Sequence, residues 1–285
     1  FDEVRAVAGV SLAIADGGAG FDRIYFQSQR LHDKNGDGVP EQDATTIGVT
    51  TWNARIAGSA EPMTLRRYSD VPREEGELTA GVQYTGERFA YRLQATGVAD
   101  ADDDQDIRAD GSYVGAVLGN WILSAGYIDR WWGPGWEGSL IYGTNARPMP
   151  AITLERNYSD APDVPWLAWL GQFRSVITMA QFEHGRDDAP DAQLFGMRFT
   201  WKPHPRLEVG LSRSAQWCGD GRPCGLGTFW DLLSGNDNDQ PLPEQPGNQL
   251  GGIDVRWSLP WAPAALYVQA IGEDEANLLP SKYLG

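Results

Sequence analysis

Apolar and polar residues alternate along much of the chain, in segments of roughly nine to twelve residues, the period and length of a membrane-crossing β-strand. The pattern is clearest over residues 76–97. Its two runs are joined by a short turn at Thr85 and Gly86, which predicts a tight hairpin. The apolar positions of this hairpin are Leu78, Ala80, Val82, Tyr84, Phe89, Tyr91, Leu93 and Ala95.

The same alternation recurs beyond the hairpin, whereas the apolar spacing typical of helices is scarce. Short turn sequences such as Gly119-Asn120 and Pro203-His204-Pro205 join several of these segments, and this predicts an antiparallel meander. A generous count gives about a dozen to fourteen strands. The further segments are 4–14, 112–118, 121–127, 172–182, 193–201, 207–213, 249–259 and 265–271.

Two all-β architectures fit this pattern: a soluble sandwich or propeller, and an antiparallel transmembrane β-barrel of the outer-membrane type. The second face of the strands carries Gln, Thr, Ser, Arg and Glu, which suits a polar lumen as well as water. Aromatic residues fall near strand ends, as in the girdles that mark membrane interfaces, and this favours the barrel. These residues are Tyr84, Phe89, Trp121, Tyr127 and Trp201.

The barrel interpretation predicts that Leu78, Val82, Phe89 and Leu93 point towards lipid. We expect residues 1–285 to form a single β-barrel domain. The chain begins without Met or a signal-peptide pattern and shows no strand signal at its end. We therefore expect it to be a fragment of a larger barrel, incomplete at both ends.

Composition excludes several other classes of protein. Hydrophobic residues make up 41% of the chain, too many for a disordered protein, yet no apolar stretch approaches the roughly 20 residues of a spanning helix. The 23 Lys and Arg residues against 39 Asp and Glu residues give a net charge of −16. A nucleic-acid partner is excluded because it requires a basic face. Acidic runs at 100–104 and 231–239 predict solvent-exposed loops.

Two sequence features of loops carry candidate chemistry. Cys218 and Cys224 lie close together in a turn-rich stretch without the partners of a zinc site. A disulfide formed in an oxidising compartment is favoured, with two free thiols as the alternative. Asp33, Asn35 and Asp37 follow the ligand order of a calcium-binding loop, but the position for the bidentate Glu holds Ala instead. Calcium and a plain acidic hairpin turn both remain open.

A segment after the predicted strand at 121–127 combines a double Trp with Gly-Pro-Gly-Trp and, further on, Asn-Ala-Arg-Pro. It resembles the signature region of the Wzi family of outer-membrane capsule-assembly proteins. The resemblance extends over roughly residues 76–285 and includes the stretches 118–121, 156–160, 165–169 and 194–199. The motif residues are Asp129, Arg130, Trp131, Trp132, Trp136, Asn145 and Arg147.

The resemblance implies a non-enzymatic barrel lectin that helps attach capsular polysaccharide or exopolysaccharide at the cell surface. It also implies a closed barrel in contact with the lipid of a Gram-negative outer membrane, a periplasmic helical element, and extracellular loops that engage the polysaccharide. This sequence departs from that pattern, because it shows no helical bundle near its N-terminus and too few strands to close such a barrel.

Two roles are open for the motif residues. Aromatic rings can stack on sugar rings while Asp, Asn and Arg bond hydroxyl groups. Alternatively, the Trp residues pack inside the barrel as a plug, and this role is favoured because the family serves different glycans. Arg147 either contacts an anionic sugar or joins a network with Glu155 or Arg156, and we favour the network.

Polysaccharide ligands are instead predicted beside the Cys-containing loop, because exposed loops are where binding residues concentrate. The candidates are Trp217, Trp230 and Asp231.

Two other functions remain as alternatives, a channel or porin and a polysaccharide-processing enzyme. A glycosidase needs two suitably spaced carboxylates, which Asp129 with Glu137 or Glu155 can supply. No Gly-x-Ser-x-Gly motif, metal-binding His spacing or phosphate-binding Gly loop is present in the sequence. We therefore predict that the protein is not an enzyme.

Overall fold

The computed structural model describes residues 4–14, 20–32, 48–59, 73–101, 105–135, 138–159, 171–183, 190–234, 247–276 and 279–284. These residues form fifteen β-strands and one short α-helix. The strands are β1 (Val4–Ile14), β2 (Gly20–His32), β3 (Gly48–Ser59), β4 (Gly76–Gly86), β5 (Phe89–Ala99), β6 (Ile107–Arg108), β7 (Tyr113–Leu118), β8 (Trp121–Tyr127), β9 (Pro150–Ser159), β10 (Gln172–Gln181), β11 (Gln193–His204), β12 (Leu207–Trp217), β13 (Gln249–Ser258), β14 (Ala265–Ala276) and β15 (Leu279–Leu284), and the helix α1 is Leu226–Ser234.

The chain divides into two compact units. In unit 1 (Phe1–Leu118, Ser124–Asp129 and Asn145–Pro148), the strand order is β1-β2-β3-β4-β5-β7, and the short β6 pairs with β5. In unit 2 (Gly119–Leu123, Arg130–Thr144 and Met149–Gly285), the order is β9 to β15. Chain neighbours pair antiparallel within each unit, as expected for a meander. A single domain over the whole chain stays a prediction.

The predicted hairpin at residues 76–97 is formed by β4 and β5. Pairing continues to Thr85 and Ala90, so the turn falls at residues 87 and 88 rather than at the predicted Thr85 and Gly86. The end of a strand depends on inter-strand hydrogen bonds as well as on turn-forming residues. Here the pairing of the two strands continues for one residue pair beyond the predicted end of the strand.

Burial in this hairpin is the reverse of that in a water-soluble sheet. Phe89 is 65% exposed, and Leu78 and Leu93 are also exposed, while Val82 is partly exposed on the same face. Thr79 on the opposite face is only 5% exposed, and its hydroxyl is 2.9 Å from that of Thr96. Apolar side chains therefore face outwards and hydrogen-bonded polar side chains face inwards, as in the wall of a membrane barrel.

Unit 2 shows the same inversion over more strands. We call the apolar face its outer face, and the exposed residues Ile152, Ile177, Met197, Leu211 and Ile253 lie on it. The opposite, inner face carries polar pairs: the hydroxyls of Thr153 and Thr178 are 2.9 Å apart, and Arg174 pairs with Glu155 at 2.5 Å. In unit 2 too, the apolar side chains face outwards and the polar side chains face inwards, which is the opposite of the packing in a soluble sandwich.

A buried ion pair lies at the centre of the inner face of unit 2. Arg198 donates to both carboxylate oxygens of Asp254, at 2.6 and 2.9 Å, and to the Ser212 hydroxyl at 2.6 Å. The two charged side chains are 9% and 3% exposed. Gly210 leaves room for the pair, since a Cβ there would lie 2.5 Å from the guanidinium and both carboxylate oxygens.

The described residues include no helix of the length and apolarity that crossing a membrane would require.

Candidate functional site

The tryptophan motif packs against the inner face of unit 2. Trp132 is 4% exposed, its backbone N–H donates to the backbone carbonyl oxygen of Tyr142 at 3.0 Å, and its ring meets the Tyr142 ring edge-on at a centroid distance of 4.5 Å. Both rings form one buried cluster with Val176 of β10. We call residues 130–135 and 138–144 the motif segment. Trp136 and Glu137 lie outside the described residues.

Hydrogen bonds from three side chains hold the motif segment in place. Gln269 of β14 donates to the carbonyl oxygen of Trp132 at 3.0 Å and accepts from the Leu140 N–H at 3.3 Å. The Ser139 hydroxyl donates to the same Trp132 carbonyl at 2.5 Å. Arg130 donates to the Thr153 hydroxyl at 2.7 Å. These bonds tie an irregular segment to the strands at both of its ends and satisfy backbone groups that strand pairing leaves open.

Two glycines of the inner face allow this close packing. A Cβ at Gly196 would lie 2.9 Å from the Trp132 ring, and one at Gly252 would lie 2.9 Å from Ile141. A larger residue at Gly196 would force the Trp132 ring away from the strands, and one at Gly252 would displace the end of the Ile141 side chain. The strands are therefore shaped to receive this segment.

Tyr142 lies between β8 and β9, outside the strands. Burial raises the pKa of Tyr142 to about 12, and the positive charge of Arg130 acts in the opposite direction. Its hydroxyl has no hydrogen-bond partner in the described part of the chain. The ring therefore stays neutral at physiological pH and acts as an apolar packing surface for Trp132.

In unit 1, loop residues from four parts of the chain form a set that we call the polar loop cluster. Arg73 donates to the Asn145 carbonyl oxygen at 2.9 Å and to the Asp129 carboxylate at 3.3 Å. Arg147 makes two bonds of 2.9 Å to the Asp110 carboxylate and one of 2.9 Å to Gln105. The Asp129 side chain is about half exposed, and Asn145 is exposed.

These contacts alter the prediction for Arg147. Its guanidinium pairs with Asp110, whereas Glu155 pairs with Arg174 of the neighbouring strand and Arg156 donates to the Phe173 carbonyl oxygen. Glu155 points inwards on β9 beside β10, where a cation on the adjacent strand neutralises it. Arg147 does join a network, but its partners come from the loop between β5 and β7.

The three predicted polysaccharide ligands have different surroundings. Trp217 is the last residue of β12 and is 9% exposed, because Phe229 and Leu232 of α1 pack against it. Little of its ring is therefore exposed for stacking on a sugar, and its role as a polysaccharide ligand stays a prediction. Trp230 is 69% exposed and Asp231 is partly buried.

Helix α1 lies in a region that the sequence pattern predicts to be a polar loop. A signal was present, because residues 226, 229, 230 and 233 are apolar and recur at the three- and four-residue spacing of a helix. Other site residues that sequence reasoning missed are Arg73, Asp110 and Gln269, for which no local motif exists. Only the folded chain brings them to the motif residues.

Cys218 and Cys224 form a disulfide with a Cα–Cα distance of 4.4 Å. Cys218 belongs to the buried cluster beside Trp217, so the bond ties the start of the loop to the sheet.

Replacing both cysteines by Ser is expected to lower the free energy of unfolding by about 2 kcal/mol, since a closed loop of this size restricts the unfolded chain by roughly that amount. Urea unfolding of the oxidised protein and of the double variant in the same detergent measures the difference. Reducing agent should destabilise the native protein and leave the variant unchanged; equal midpoints for all samples would contradict this.

The calcium candidates Asp33, Asn35 and Asp37 lie outside the described residues. Among the residues that are described, no group of three or more His, Cys, Asp or Glu side chains is arranged to hold a metal ion. Of the carboxylates considered for glycoside hydrolysis, Asp129 and Glu155 each pair with an arginine.

Comparison with known proteins gives concordant matches. The profile of the family described as capsule assembly protein Wzi matches residues 32–283. An uncharacterized 55.8 kDa protein in the cps region of Klebsiella pneumoniae is 36% identical over 227 residues, which are 78% of this chain and 44% of that protein. The solved structure of Wzi from Escherichia coli, described as an outer-membrane, carbohydrate-binding β-barrel involved in group 1 capsule assembly, matches with a TM-score of 0.66 and 30% identity.

The structural match covers 92% of this chain and 50% of the Wzi chain, so this chain spans about half the length of the relatives it matches. The likeness extends from the sequence motif to the fold, and the exposed apolar face is the one that such a barrel turns to lipid. The chain therefore belongs to the Wzi family, with the antiparallel β-barrel fold of an outer-membrane protein.

Proposed function

We propose that this protein binds capsular polysaccharide at the cell surface through its polar loop cluster, holds it there without altering it chemically, and contacts outer-membrane lipid through its apolar face. The observation that carries the proposal is the cluster itself, in which Asp129 and Asn145 are exposed beside two arginines that are already fixed in position. The carbohydrate-binding Wzi barrel supports the class of ligand.

The chemistry of the cluster suits a polysaccharide. Sugar hydroxyls donate to carboxylates and accept from amides and guanidinium groups, and all three kinds of group are present. Arg73 and Arg147 are each paired with a carboxylate, so the cluster offers directed hydrogen bonds rather than an unbalanced charge.

The cluster is also organised before any ligand arrives. Glu77 of β4 accepts from the backbone N–H of Arg73 at 2.6 Å and from Arg55 at 2.7 Å. The neighbouring Glu74 accepts from Arg108 at 2.5 Å, and both of these side chains are buried. A site that is held rigid loses less conformational entropy on binding.

The position of the cluster fits the extracellular side. In unit 1 the connection between β5 and β7, which contains Asp110, runs over residues 100–112, whereas β4 and β5 are joined at the other end by two residues, 87 and 88. Outer-membrane barrels have short periplasmic turns and longer extracellular loops. The polar loop cluster accordingly belongs to the end that faces the capsule.

Replacing Asp129 by Ala is expected to weaken polysaccharide binding about tenfold or more, because a hydrogen bond to a charged group contributes roughly 1.5–3 kcal/mol. The matched control is Glu87→Ala, which removes the same charge from the exposed turn at the opposite end of β4 and β5. Calorimetry with purified capsular polysaccharide and the detergent-solubilised protein gives the affinities, and the ratio of cell-bound to released capsule tests the effect on cells.

Equal affinity for the two variants would contradict the polar loop cluster as the binding surface. The non-catalytic part of the proposal is tested separately: the length distribution of the polysaccharide, measured by size-exclusion chromatography, should stay unchanged after prolonged incubation with the native protein. Shortened chains would show a processing enzyme instead.

A further inference from the structure

Helix α1 packs on the outer face of unit 2, the face that turns to lipid. The strand residues that share a buried cluster with it include Phe195 and Ala215, which pair directly across β11 and β12, with Met179 of β10 packed against them. Each lies two or four positions along its strand from an exposed apolar residue of the outer face, namely Ile177, Met197 or Leu211, and so shares that face. The helix thus covers one end of the apolar face rather than closing the inner side.

The helix is fixed to this face at both ends. At its C-terminal end, Arg213 donates to the carbonyl oxygens of Leu232 at 2.6 Å and Leu233 at 3.1 Å, and also to the side chain of Gln249. These are carbonyl groups that a helix leaves unpaired at its end, and a cation there complements the helix dipole. The disulfide at Cys218 and Cys224 holds the chain just before the first turn.

The side of α1 that faces away from the strands is apolar. Leu226 is 89% exposed and Trp230 is 69% exposed, and their spacing of four residues places them one above the other on the same side of the helix. Leu232, on the side that faces the strands, is fully buried. A helix that only covered the sheet from water would be expected to carry polar residues at the two exposed positions.

The exposed side chains continue the lipid-facing surface. Arg213, which anchors the helix, lies two residues along β12 from the exposed Leu211, a distance of about 7 Å along a strand. The helix therefore lies at the border of the apolar face, where the hydrocarbon region gives way to lipid headgroups. Tryptophan is enriched at that depth because its ring is apolar and its N–H is polar.

We infer that α1 is an interfacial helix that inserts Leu226 and Trp230 into the outer leaflet of the outer membrane. The β12–β13 connection that contains the helix runs over residues 218–248, whereas β11 and β12 are joined at the other end by residues 205 and 206, so α1 belongs to the extracellular end. The occupant of its exposed side is lipid and not sugar. The inference needs only the membrane location and holds whether or not the polar loop cluster binds polysaccharide.

Quenching of tryptophan fluorescence by brominated lipids tests the insertion of Trp230 directly. The native protein and the conservative variant Trp230→Phe are placed in phosphatidylcholine vesicles, with or without lipids brominated near the headgroup end of the acyl chain. The difference between the two proteins isolates the Trp230 emission, and most of it should be lost with the brominated lipid. Trp217→Phe is the control, because the ring it removes is covered by α1 and should contribute little quenchable emission.

The same difference signal identifies the other possible surroundings of Trp230. No loss with brominated lipid, together with protection from aqueous acrylamide by added capsular polysaccharide, would overturn the inference in favour of a sugar-stacking tryptophan. No loss with brominated lipid and free quenching by acrylamide would overturn it in favour of a water-exposed helix. Asp129→Ala is expected to leave this signal unchanged, so failure of the polysaccharide proposal is distinguishable from failure of the lipid contact.

Discussion

Replacing Trp132 by Ala is expected to lower the free energy of unfolding by about 3–5 kcal/mol, the usual effect of deleting a large buried aromatic side chain. The residue is 4% exposed and packs against Tyr142 and Val176. The cavity cannot close easily, because the motif segment is bonded to Gln269 on one side and to Thr153 on the other. The temperature at which the folded band disappears in semi-native electrophoresis measures the loss.

Trp261→Ala is the matched control for this experiment. Trp261 is 72% exposed in the turn between β13 and β14, so its removal leaves no buried cavity and should change the unfolding temperature little. If Trp132→Ala keeps the native unfolding temperature but loses polysaccharide, the motif tryptophan is a binding residue and its structural role fails. Loss of heat resistance with retained affinity per folded molecule supports the structural role.

Much of the fold follows from period-2 alternation, because side-chain direction in a strand depends only on position. Leu78, Phe89 and Leu93 were predicted to face lipid and are exposed on one face, and the strand pairings follow chain order. Helix α1 was missed because it has only nine residues and lies within a glycine-rich and acidic stretch. Its helical conformation is stabilised by packing against Phe195 and Trp217, and the sequence alone does not reveal this packing.

The candidate site was also predictable only in part from the sequence. The motif identifies Trp132, Asp129 and Arg147 as a group, but it does not separate residues that pack from residues that face solvent. In the structure the same short stretch serves both needs: Trp132 is buried on the inner face of unit 2, while Asp129 is exposed in unit 1. Partners from distant loops, such as Asp110 for Arg147, decide which role each residue has.

The inner face of unit 2 bears on the alternative function as a channel. A porin needs a water-filled lumen lined by mobile or solvated charges. Here Trp132, Ile141 and Tyr142 cover part of the inner face with packed apolar groups, and the charges at its centre are paired. Both features favour a barrel whose interior is structural and whose loops carry the binding function, which is why polysaccharide retention is the stronger proposal.

Replacing Asp254 by Ala is expected to lower the free energy of unfolding by about 3–5 kcal/mol, because it leaves the Arg198 guanidinium buried without its carboxylate. Asp254 accepts two bonds from Arg198, at 2.6 and 2.9 Å, so both are lost together. The paired replacement Arg198→Met with Asp254→Leu removes both charges at similar volume and should be close to the native protein in stability. Lys202→Met with Glu208→Leu is the matched control, since that pair is more exposed and should contribute little. Urea unfolding of the four proteins in one detergent gives the comparison. A single Asp254→Ala variant as stable as the native protein would mean that water reaches Arg198, and the inner face at this level would then be solvated rather than packed.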